Sequence, residues 1–448
     1  MNRTTTLENG LRIHTIPIPS PVAGYQLLVP FGGDTLAYRD GADGTTTTLR
    51  PGCAHFFEHV LFIMPPDEYP VDGIRTPPHA PAGLRDGLSV LKGNKAIVVN
   101  AYTSHDITNY WFLTRERPHE NLRTMIGYVN RPFLPNDRFL QEVGTISDEI
   151  ARSENDADTA HFETWKQQLY VTHGTRKSVI GTKEDICGIT IPDVLSLHRT
   201  FYRPSNMMLI GMGHVDHDAT VALAREAYGA LGKNTYEQPP VLPDQPEPDA
   251  VVRVHNLDDP LRRADVAQPK LLMGWKAPLQ PGRMSVDERI DEHLTMRYAT
   301  AVLFDPGTRS RERLIAAGID ARTFVADTLP LRDHAEIAVS TLTREPSRDM
   351  ELILNAARHL VEHGIDPVEF AYARASLLTD ESIARNDLVS YGDTVARWAV
   401  LTGEPDGYDR MLARLERTSI RTIADRLPEI LAPRRFATSL MVPQDGWP

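Results

Sequence analysis

The sequence predicts an α+β fold made of two similar domains. Each half of the chain opens with extended apolar segments that are followed by a helical pattern, which suggests an internal duplication. Further strand and helix patterns then follow in mixed runs, which favours mainly antiparallel sheets flanked by helices over a doubly wound parallel sheet. A proline-rich, acidic stretch at residues 232–250 has the composition of a linker. We therefore expect a first domain at residues 1–231 and a homologous second domain at residues 251–448.

The first half contains segments of both periodicities. Extended or β-branched runs predict strands, and the run at residues 98–113 contains a turn at residues 104–106. The predicted strands are residues 11–18, 26–31 and 207–212 and a strand pair within 98–113. Apolar residues at helical spacing predict helices at about residues 52–63, 118–131 and 136–172.

The second half repeats this order of elements. Strands are predicted at residues 251–255 and 270–275, and a helix at about 285–304 follows them. Helical periodicity returns at residues 350–362, 367–386 and 408–427.

Composition excludes several classes of protein. Forty-eight basic against 60 acidic side chains give a net charge of −12 in 448 residues, which offers no footprint for nucleic acid or an anionic membrane. The two cysteines, Cys53 and Cys187, cannot build a disulfide framework and fit a reducing compartment. The polar N-terminus lacks a signal-peptide pattern, and no apolar run reaches the length of a membrane span. We expect a cytoplasmic protein.

The most informative motif is His55-Phe56-Phe57-Glu58-His59. Positions i and i+4 of a helix lie on one face, so His55 and His59 can reach the same metal ion. A neutral imidazole is a good zinc ligand, and a carboxylate beside the metal can take a proton from water. The spacing therefore predicts a zinc site with Glu58 as a proton acceptor, although a helix with two structural histidines has the same pattern.

A zinc site of this kind needs a third protein ligand. Glu142 and Glu149 are seven residues apart and share one face of a predicted helix. One could bind the metal while the other orients a histidine. Spacing alone leaves Asp148 and Glu154 as equal candidates.

Residues 64–96 form a stretch rich in proline and glycine that is too long for an ordinary connection. Such loops often shape access to a site. His79 lies in this stretch, and we expect it to be a solvated loop histidine rather than a metal ligand. Cys53, beside the motif, is expected to be a small, partly buried residue at a helix start.

The H-x-x-E-H order of residues 55–59 is that of the inverzincins, and its surroundings resemble the pitrilysin and mitochondrial-processing-peptidase family of zinc peptidases. The resemblance extends to Gly52-Cys53-Ala54 before the motif and Val60-Leu61-Phe62 after it, and to Asn100-Ala101-Tyr102-Thr103. Residues 179–190 and 201–216 also resemble family segments. The resemblance to this family covers most of residues 7–230 and is weak over the rest of the chain.

This resemblance implies a fold, a cofactor and a reaction. The two domains would form half of a clamshell that encloses a peptide. Zinc would be held by His55, His59 and Glu149, with Glu142 supporting the later glutamate. The strand at Asn100 and Ala101 would bind substrate backbone by strand addition, which suits extended peptides. We therefore expect a zinc-dependent endopeptidase that processes or degrades peptides.

The chain departs from the family in two places. The stretch between His59 and Glu149 is longer than usual, and the excess falls in the proline-rich insert at residues 64–96. Active members also use an arginine and a tyrosine from a C-terminal domain to hold the substrate carbonyl, and the matching positions here are Leu314 and Ala321. Arg313 is one residue out of register.

The missing pair implies a partner. In the two-subunit branch of the family one chain carries the zinc motif and a homologous chain carries the Arg/Tyr pair, so we expect a heterodimer, with a homodimer as an alternative. We expect no second zinc motif in the second half, because His293 stands alone on the helix that matches the first. Two other functions stay open: a catalytically silent structural subunit, and a maturation protease that removes the leader of one peptide product.

Overall fold

A computed structural model describes residues 1–39, 45–67, 75–229, 261–279 and 281–444. The strands, in chain order, are β1 (Arg3–Thr6), β2 (Arg12–Pro17), β3 (Ala23–Val29), β4 (Ala37–Arg39), β5 (Thr46–Thr48), β6 (Ile63–Met64), β7 (Arg85–Asp86), β8 (Ala96–Thr103), β9 (Thr108–Thr114), β10 (Met208–Gly213), β11 (Leu261–Ala264), β12 (Lys270–Pro278), β13 (Val325–Leu331), β14 (His334–Leu342) and β15 (Phe436–Pro443).

The α-helices are α1 (Cys53–Leu61), α2 (Gly87–Gly93), α3 (Pro118–Asn130), α4 (Asn136–Asn155), α5 (Ala157–Leu169), α6 (Lys183–Cys187), α7 (Ile191–Phe201), α8 (His217–Gly229), α9 (Val286–Phe304), α10 (Arg309–Ala316), α11 (Pro346–His363), α12 (Pro367–Ala384), α13 (Leu388–Thr402), α14 (Gly407–Leu415), α15 (Ile420–Ala424) and α16 (Leu427–Ile430). Short 3-10 turns lie at Gly174–Arg176, Pro204–Asn206, Pro281–Arg283 and Pro433–Arg435.

Two mixed, mainly antiparallel sheets form the framework. The first has the order β1-β2-β10-β3-β9-β8, and the second has the order β11-β15-β12-β14-β13. In each sheet one pair is parallel, β2 with β10 and β11 with β15, and the remaining neighbours are antiparallel. The second sheet therefore repeats the order and direction of β2-β10-β3-β9-β8. This repetition confirms the α+β prediction with its two similar units, and it is what a duplicated domain would produce.

The two halves cover each other's sheets. Helix α5 of the first half packs on β12 and β15, where the Trp165 indole nitrogen donates to the carbonyl of Ala437 at 3.2 Å. Helix α13 of the second half packs on β3 and β10. One continuous buried cluster joins Leu28 and Ile210 of the first sheet to Trp275 of the second. Because each half buries apolar surface against the sheet of the other, a common hydrophobic core holds the two halves together.

Buried ion pairs also cross this junction. The Lys166 ammonium on α5 lies 2.5 Å from the Glu336 carboxylate on β14, and both side chains are buried. On the other side, the Arg397 guanidinium of α13 lies 2.5 Å from the buried Asp106 carboxylate in the β8–β9 turn. Buried charges of this kind need their partners, so these pairs fix one half against the other.

Several sequence predictions differ from the structure. The single helix expected at residues 136–172 is two helices, because Asp156 ends α4 and its carboxylate caps α5 by accepting from the Thr159 amide at 2.7 Å. The helix expected at residues 408–427 is broken where the Ser419 hydroxyl caps α15. Helix α13 was not predicted. The expected linker at residues 232–250 and strand at 251–255 lie outside the described residues.

The other predicted elements are present with shifted ends. The strand pair within residues 98–113 is the β8–β9 hairpin, and its turn lies at residues 104–107. Within the part of the chain that the structure describes, no helix combines the length and the apolar character that a membrane span requires. The domain limits at residues 231 and 251 stay a prediction.

Candidate active site

Helix α1 carries the motif, and the glycine that precedes it fixes where the helix begins. Gly52, which precedes the helix, has φ of 83°, a left-handed conformation that side chains other than glycine rarely adopt. A Cβ atom there would lie 2.6 Å from the carbonyl oxygen of Ile180. Glycine thus lets the helix begin in contact with the loop before α6.

Packing of α1 against α4 brings the second part of the site into place. The Phe56 ring on α1 lies 4.8 Å from the Phe139 ring on α4, measured between centroids. Phe139, Ile146 and Ile150 form the buried stripe of α4. Glu149 lies three residues beyond Ile146, so it lies on the neighbouring stripe and faces α1.

The structure brings together the three predicted ligands. Nε2 of His55 lies 3.7 Å from Oε1 of Glu149, and Nε2 of His59 lies 3.7 Å from Oε2 of the same carboxylate. The ligand atoms of the three residues all lie within 4.8 Å of one another. Atoms bound to one zinc ion at about 2.1 Å are separated by about 3.4 Å, so the observed spacing is close to that of a zinc site.

The other acidic candidates lie elsewhere. Glu142 lies behind the cluster, with its Oε2 atom 3.6 Å from Nδ1 of His59, where it can orient that ring. Asp148 and Glu154 are exposed and are not part of the cluster. Of the acidic residues that spacing left open as the third ligand, only Glu149 therefore lies in the cluster with His55 and His59. His79 is also exposed, with Nδ1 3.8 Å from the Asp137 carboxylate and away from the cluster.

Glu58 lies beside the ligands in a buried position. Its Oε2 atom accepts a hydrogen bond from the Thr103 hydroxyl at 2.7 Å. Burial raises the pKa of Glu58 to about 6, although the bond from Thr103 and the charge of His59 oppose this rise. A carboxylate with a pKa near neutrality can both take and return a proton.

The two histidines have different environments. Burial lowers the pKa of His55 to about 3, so its imidazole is neutral and keeps a lone pair for a metal. Burial also disfavours the charged form of His59, but the close contact with Glu142 and the charges of Glu58 and Glu149 outweigh it and raise the pKa of His59. This concentration of carboxylates favours a cation at the cluster.

The donor set fits zinc. Two imidazole nitrogens and one carboxylate are the ligands of many catalytic zinc sites, which keep a further position open. The Nδ1 atom of His55 is buried without a hydrogen-bond partner among the described residues. His55, His59 and Glu149 could therefore hold the ion, and Glu142 could support His59.

A second cluster, His173, Asp333 and His334, has the composition of a metal site but fits one poorly. The amide of Thr175 donates to Nδ1 of His173 at 3.2 Å, so the ring proton must be on Nε2. That Nε2 atom lies 3.0 Å from the Asp333 carboxylate and donates to it. Because His173 has no ring lone pair left for a metal, we interpret this cluster as a hydrogen-bonded part of the domain junction.

The expectation of a single motif was wrong. His359-Leu360-Val361-Glu362-His363 is a second H-x-x-E-H, at the end of α11 rather than on the matching helix α9. Its two rings lie 4.2 Å apart, but both histidines are exposed and neither belongs to a three-ligand cluster of the described residues. Nη1 of Arg313 also lies 3.3 Å from Nε2 of His359. The spacing is therefore present twice, while the full donor set accompanies only residues 55–59.

Cys53 and His293 take the structural roles expected of them. Burial raises the pKa of the Cys53 thiol to about 12, which makes a reactive thiolate unfavourable. His293 is buried on α9 with its ring edge against Trp398. Burial lowers its pKa to about 3, so it is a neutral core residue.

The cluster opens into a cavity of about 640 Å³. Asn100, Ala101 and Thr103 of β8 line one side of it. Strand β8 is at the edge of its sheet, and β9 is its only strand partner among the described residues. The insert at residues 64–96 returns here through the β6–β7 pair and α2, so that Asp86 and Leu88 also line the cavity. The length and composition of the insert suggested that it shapes access to the site, and the short β6–β7 pair places part of it in the cavity wall.

The positions of the missing Arg/Tyr pair lie apart from this cavity. Leu314 is buried on α10, and Ala321 is exposed after it. Of the described residues that line the cavity, none comes from α10. Neither side chain can donate a hydrogen bond to a substrate carbonyl.

Comparisons with known proteins agree with this architecture. A sequence profile described as "Peptidase M16 inactive domain" matches residues 188–377, which lie beyond the helix that carries residues 55–59. The uncharacterized zinc protease YmfH of Bacillus subtilis is 26% identical over 446 residues, covering 98% of this chain and 96% of that protein. A Schizosaccharomyces pombe protein named as a mitochondrial-processing peptidase subunit beta is 24% identical over 277 residues, covering 61% and 55% of the two chains.

The fold is also similar to a solved structure. An M16-like peptidase from Alicyclobacillus acidocaldarius superposes with a TM-score of 0.84 over 99% of this chain and 98% of that chain, at 23% identity. This likeness shows the shared fold. Together with the matched profile and the similar zinc proteases, it supports the resemblance of this chain to the pitrilysin and mitochondrial-processing-peptidase (M16) family of zinc peptidases.

Proposed function

We propose that the chain is a zinc-dependent endopeptidase that cleaves extended peptides. The observation that carries this proposal is the group formed by His55, His59 and Glu149, whose ligand atoms lie within 4.8 Å of one another beside the buried Glu58. The group lines a cavity of about 640 Å³ that is open to solvent. Proteins related to this chain are named zinc proteases.

Each residue has a distinct role in this proposal. His55, His59 and Glu149 hold the metal, and Glu142 orients His59 through its Nδ1 side. A bound zinc ion supplies Lewis acidity, which lowers the pKa of water and polarises a carbonyl group. Glu58 takes a proton from the attacking water and returns it to the leaving amine.

The edge strand β8 supplies the substrate contact. Asn100 is exposed and Ala101 partly exposed, and both border the same cavity as the histidines. A peptide that pairs with the backbone of this edge would run across the cavity as an added strand. Because strand pairing uses main-chain groups, extended peptides of varied sequence are the expected substrates, and tightly folded proteins are poor ones.

The decisive test compares zinc content with cleavage in the wild type and in Glu58→Gln. We expect the purified chain to bind about one zinc ion, and the variant to keep it while losing cleavage of a mixed peptide library. Glutamine keeps the size of the side chain but cannot accept the proton. Wild-type protein without zinc after growth in zinc-supplemented medium would contradict the proposal and would favour the catalytically silent subunit.

We further propose that the chain is the zinc-bearing subunit of a heterodimer. Leu314 and Ala321 support this, because neither can hold a substrate carbonyl and α10 does not border the described cavity. A homologous chain with an intact Arg/Tyr pair would supply those groups. We expect weak cleavage by the isolated chain and recovery on addition of the partner that copurifies with it. Full activity of a monomer verified by light scattering would contradict this arrangement, and an active homodimer would replace it.

A further inference from the structure

We propose that Thr103 is a positioning residue that fixes the carboxylate of Glu58 for proton transfer. This inference rests on the peptidase function proposed above. The Thr103 hydroxyl lies 2.7 Å from Oε2 of Glu58, although 45 residues separate the two along the chain. The resemblance to a peptidase family assigned no role to this side chain.

The direction of the hydrogen bond is fixed by its partners. An ionised carboxylate can only accept, so the Thr103 hydroxyl must donate to Glu58. Bonds of a hydroxyl to a carboxylate are short and strong, in keeping with the 2.7 Å separation. Because the bond engages Oε2, it leaves Oε1 as the oxygen that can meet a reacting water.

Thr103 is itself held by the sheet. It is the last residue of β8 and pairs with Thr108 of β9. The Thr108 hydroxyl lies 3.4 Å from that of Thr103 and donates to the carbonyl oxygen of Phe31 at 3.0 Å. Since Thr108 uses its proton on Phe31, it does not compete for the acceptor on Glu58. The hydroxyl of Thr103 is therefore held on a rigid element.

The strand that carries Thr103 also carries the proposed substrate contact. Ala101 and Thr103 are two residues apart, so their side chains point to the same face of β8. Strand β8 would thus position both the peptide that adds to its edge and, through Thr103, the carboxylate of Glu58 that accepts the proton. This arrangement would hold the base in register with the bound substrate backbone, which matters because a displacement of about 1 Å can cost about 100-fold in rate.

The alternative is that Thr103 only satisfies a buried carboxylate and has no part in the reaction. The two explanations differ in kinetics. A structural role predicts lower stability or lost zinc, with turnover unchanged per folded molecule. A positioning role predicts a lower kcat at unchanged KM and zinc content, and its recovery by a side chain that restores the hydroxyl.

The experiment uses Thr103→Val, Thr103→Ser and the control Thr379→Val. Valine keeps the branched shape but removes the donor, and serine restores it. Thr379 is an exposed threonine on α12 whose hydroxyl bonds to its own helix, away from the site. We expect kcat to fall about tenfold to 100-fold in Thr103→Val, with KM within about twofold and zinc content unchanged. Thr103→Ser should retain kcat within about threefold, and Thr379→Val should equal the wild type.

Crystal structures of the zinc-loaded wild type and Thr103→Val provide a measurement that does not depend on activity. We expect the Glu58 carboxylate to adopt a different rotamer, or several, when the donor is removed. An unchanged kcat, an unchanged carboxylate position or loss of zinc in Thr103→Val would each overturn the proposal. A zinc-loaded wild type that stays inactive after the copurifying partner is added would contradict the peptidase function, while the carboxylate position would still decide the role of Thr103.

Discussion

Phe139 on α4 packs against Phe56 on α1 with their ring centroids 4.8 Å apart, and the same two helices carry Glu149 and His55, whose Oε1 and Nε2 atoms lie 3.7 Å apart. Phe139→Ala should lower the free energy of unfolding by about 3–5 kcal/mol, since both rings are buried. It should also weaken zinc binding about tenfold or more, because α4, which carries Glu149, is packed less firmly against α1. Chemical denaturation and chelator competition measure the two effects. Phe139→Leu is the control and should cost about 1 kcal/mol; equal zinc affinity in Phe139→Ala and the wild type would contradict the coupling.

The two H-x-x-E-H segments provide a matched comparison for the metal ligands. His55→Ala and Glu149→Ala should each abolish tight zinc binding, because a site with two remaining ligands holds zinc weakly. His359→Ala should keep about one zinc ion per chain and full cleavage, since it alters the exposed second segment. Metal analysis after dialysis against a weak chelator distinguishes them. Retention of zinc by His55→Ala together with its loss from His359→Ala would place the metal on α11 and would contradict the site on α1.

The buried pair of Lys166 and Glu336 should contribute strongly to stability. Glu336→Ala would leave the ammonium of Lys166 buried without its partner, which typically costs about 3–5 kcal/mol. Glu351→Ala, which removes the exposed partner of Arg358, should cost less than about 1 kcal/mol. Urea unfolding of both variants checks this difference. Similar losses in the two variants would mean that the domain junction is much more hydrated than the structure shows.

Stability should fall on the alkaline side because of His334. Burial opposes its charged form, but Asp333 at 2.6 Å and Glu336 at 3.5 Å outweigh burial and raise its pKa to about 9. The pKa is then higher in the folded state than its ordinary value of 6.5, so the folded state binds the proton more tightly. The stabilisation is complete below about pH 6.5 and is lost as the pH rises through about 9.

We therefore expect the unfolding free energy of the zinc-loaded protein to decrease between about pH 7 and pH 9, by at most about 1.4 kcal/mol per pH unit from this group. Urea titrations at several pH values measure the slope. The slope should be flatter in His334→Gln, whatever its absolute stability. Parallel slopes in the variant and the wild type would show that His334 does not carry the dependence.

Much of this protein could be predicted from local sequence. The periodicity of residues 52–63 and 118–131 predicted α1 and α3, and the β-branched run at residues 98–113 predicted the β8–β9 hairpin. The spacing of His55 and His59 placed both rings on one helical face, because helix geometry alone determines which side chains are neighbours at i and i+4. The helix breaks at Asp156 and Ser419 were missed, since polar caps inside an apolar pattern are weak signals.

The sequence by itself determined which side chains could form a metal site, because the helical repeat that aligns His55 with His59 is a local property. Spacing alone could not decide between the segments at residues 55–59 and 359–363, nor between Glu149 and Asp148, although the family resemblance favoured residues 55–59 and Glu149. Tertiary packing decided both: the contact between Phe56 and Phe139 brings the Glu149 carboxylate to the first pair, while the second lies exposed beside Arg313. A third ligand and the donor Thr103 come from segments distant along the chain, and only the burial of apolar faces brings such segments together.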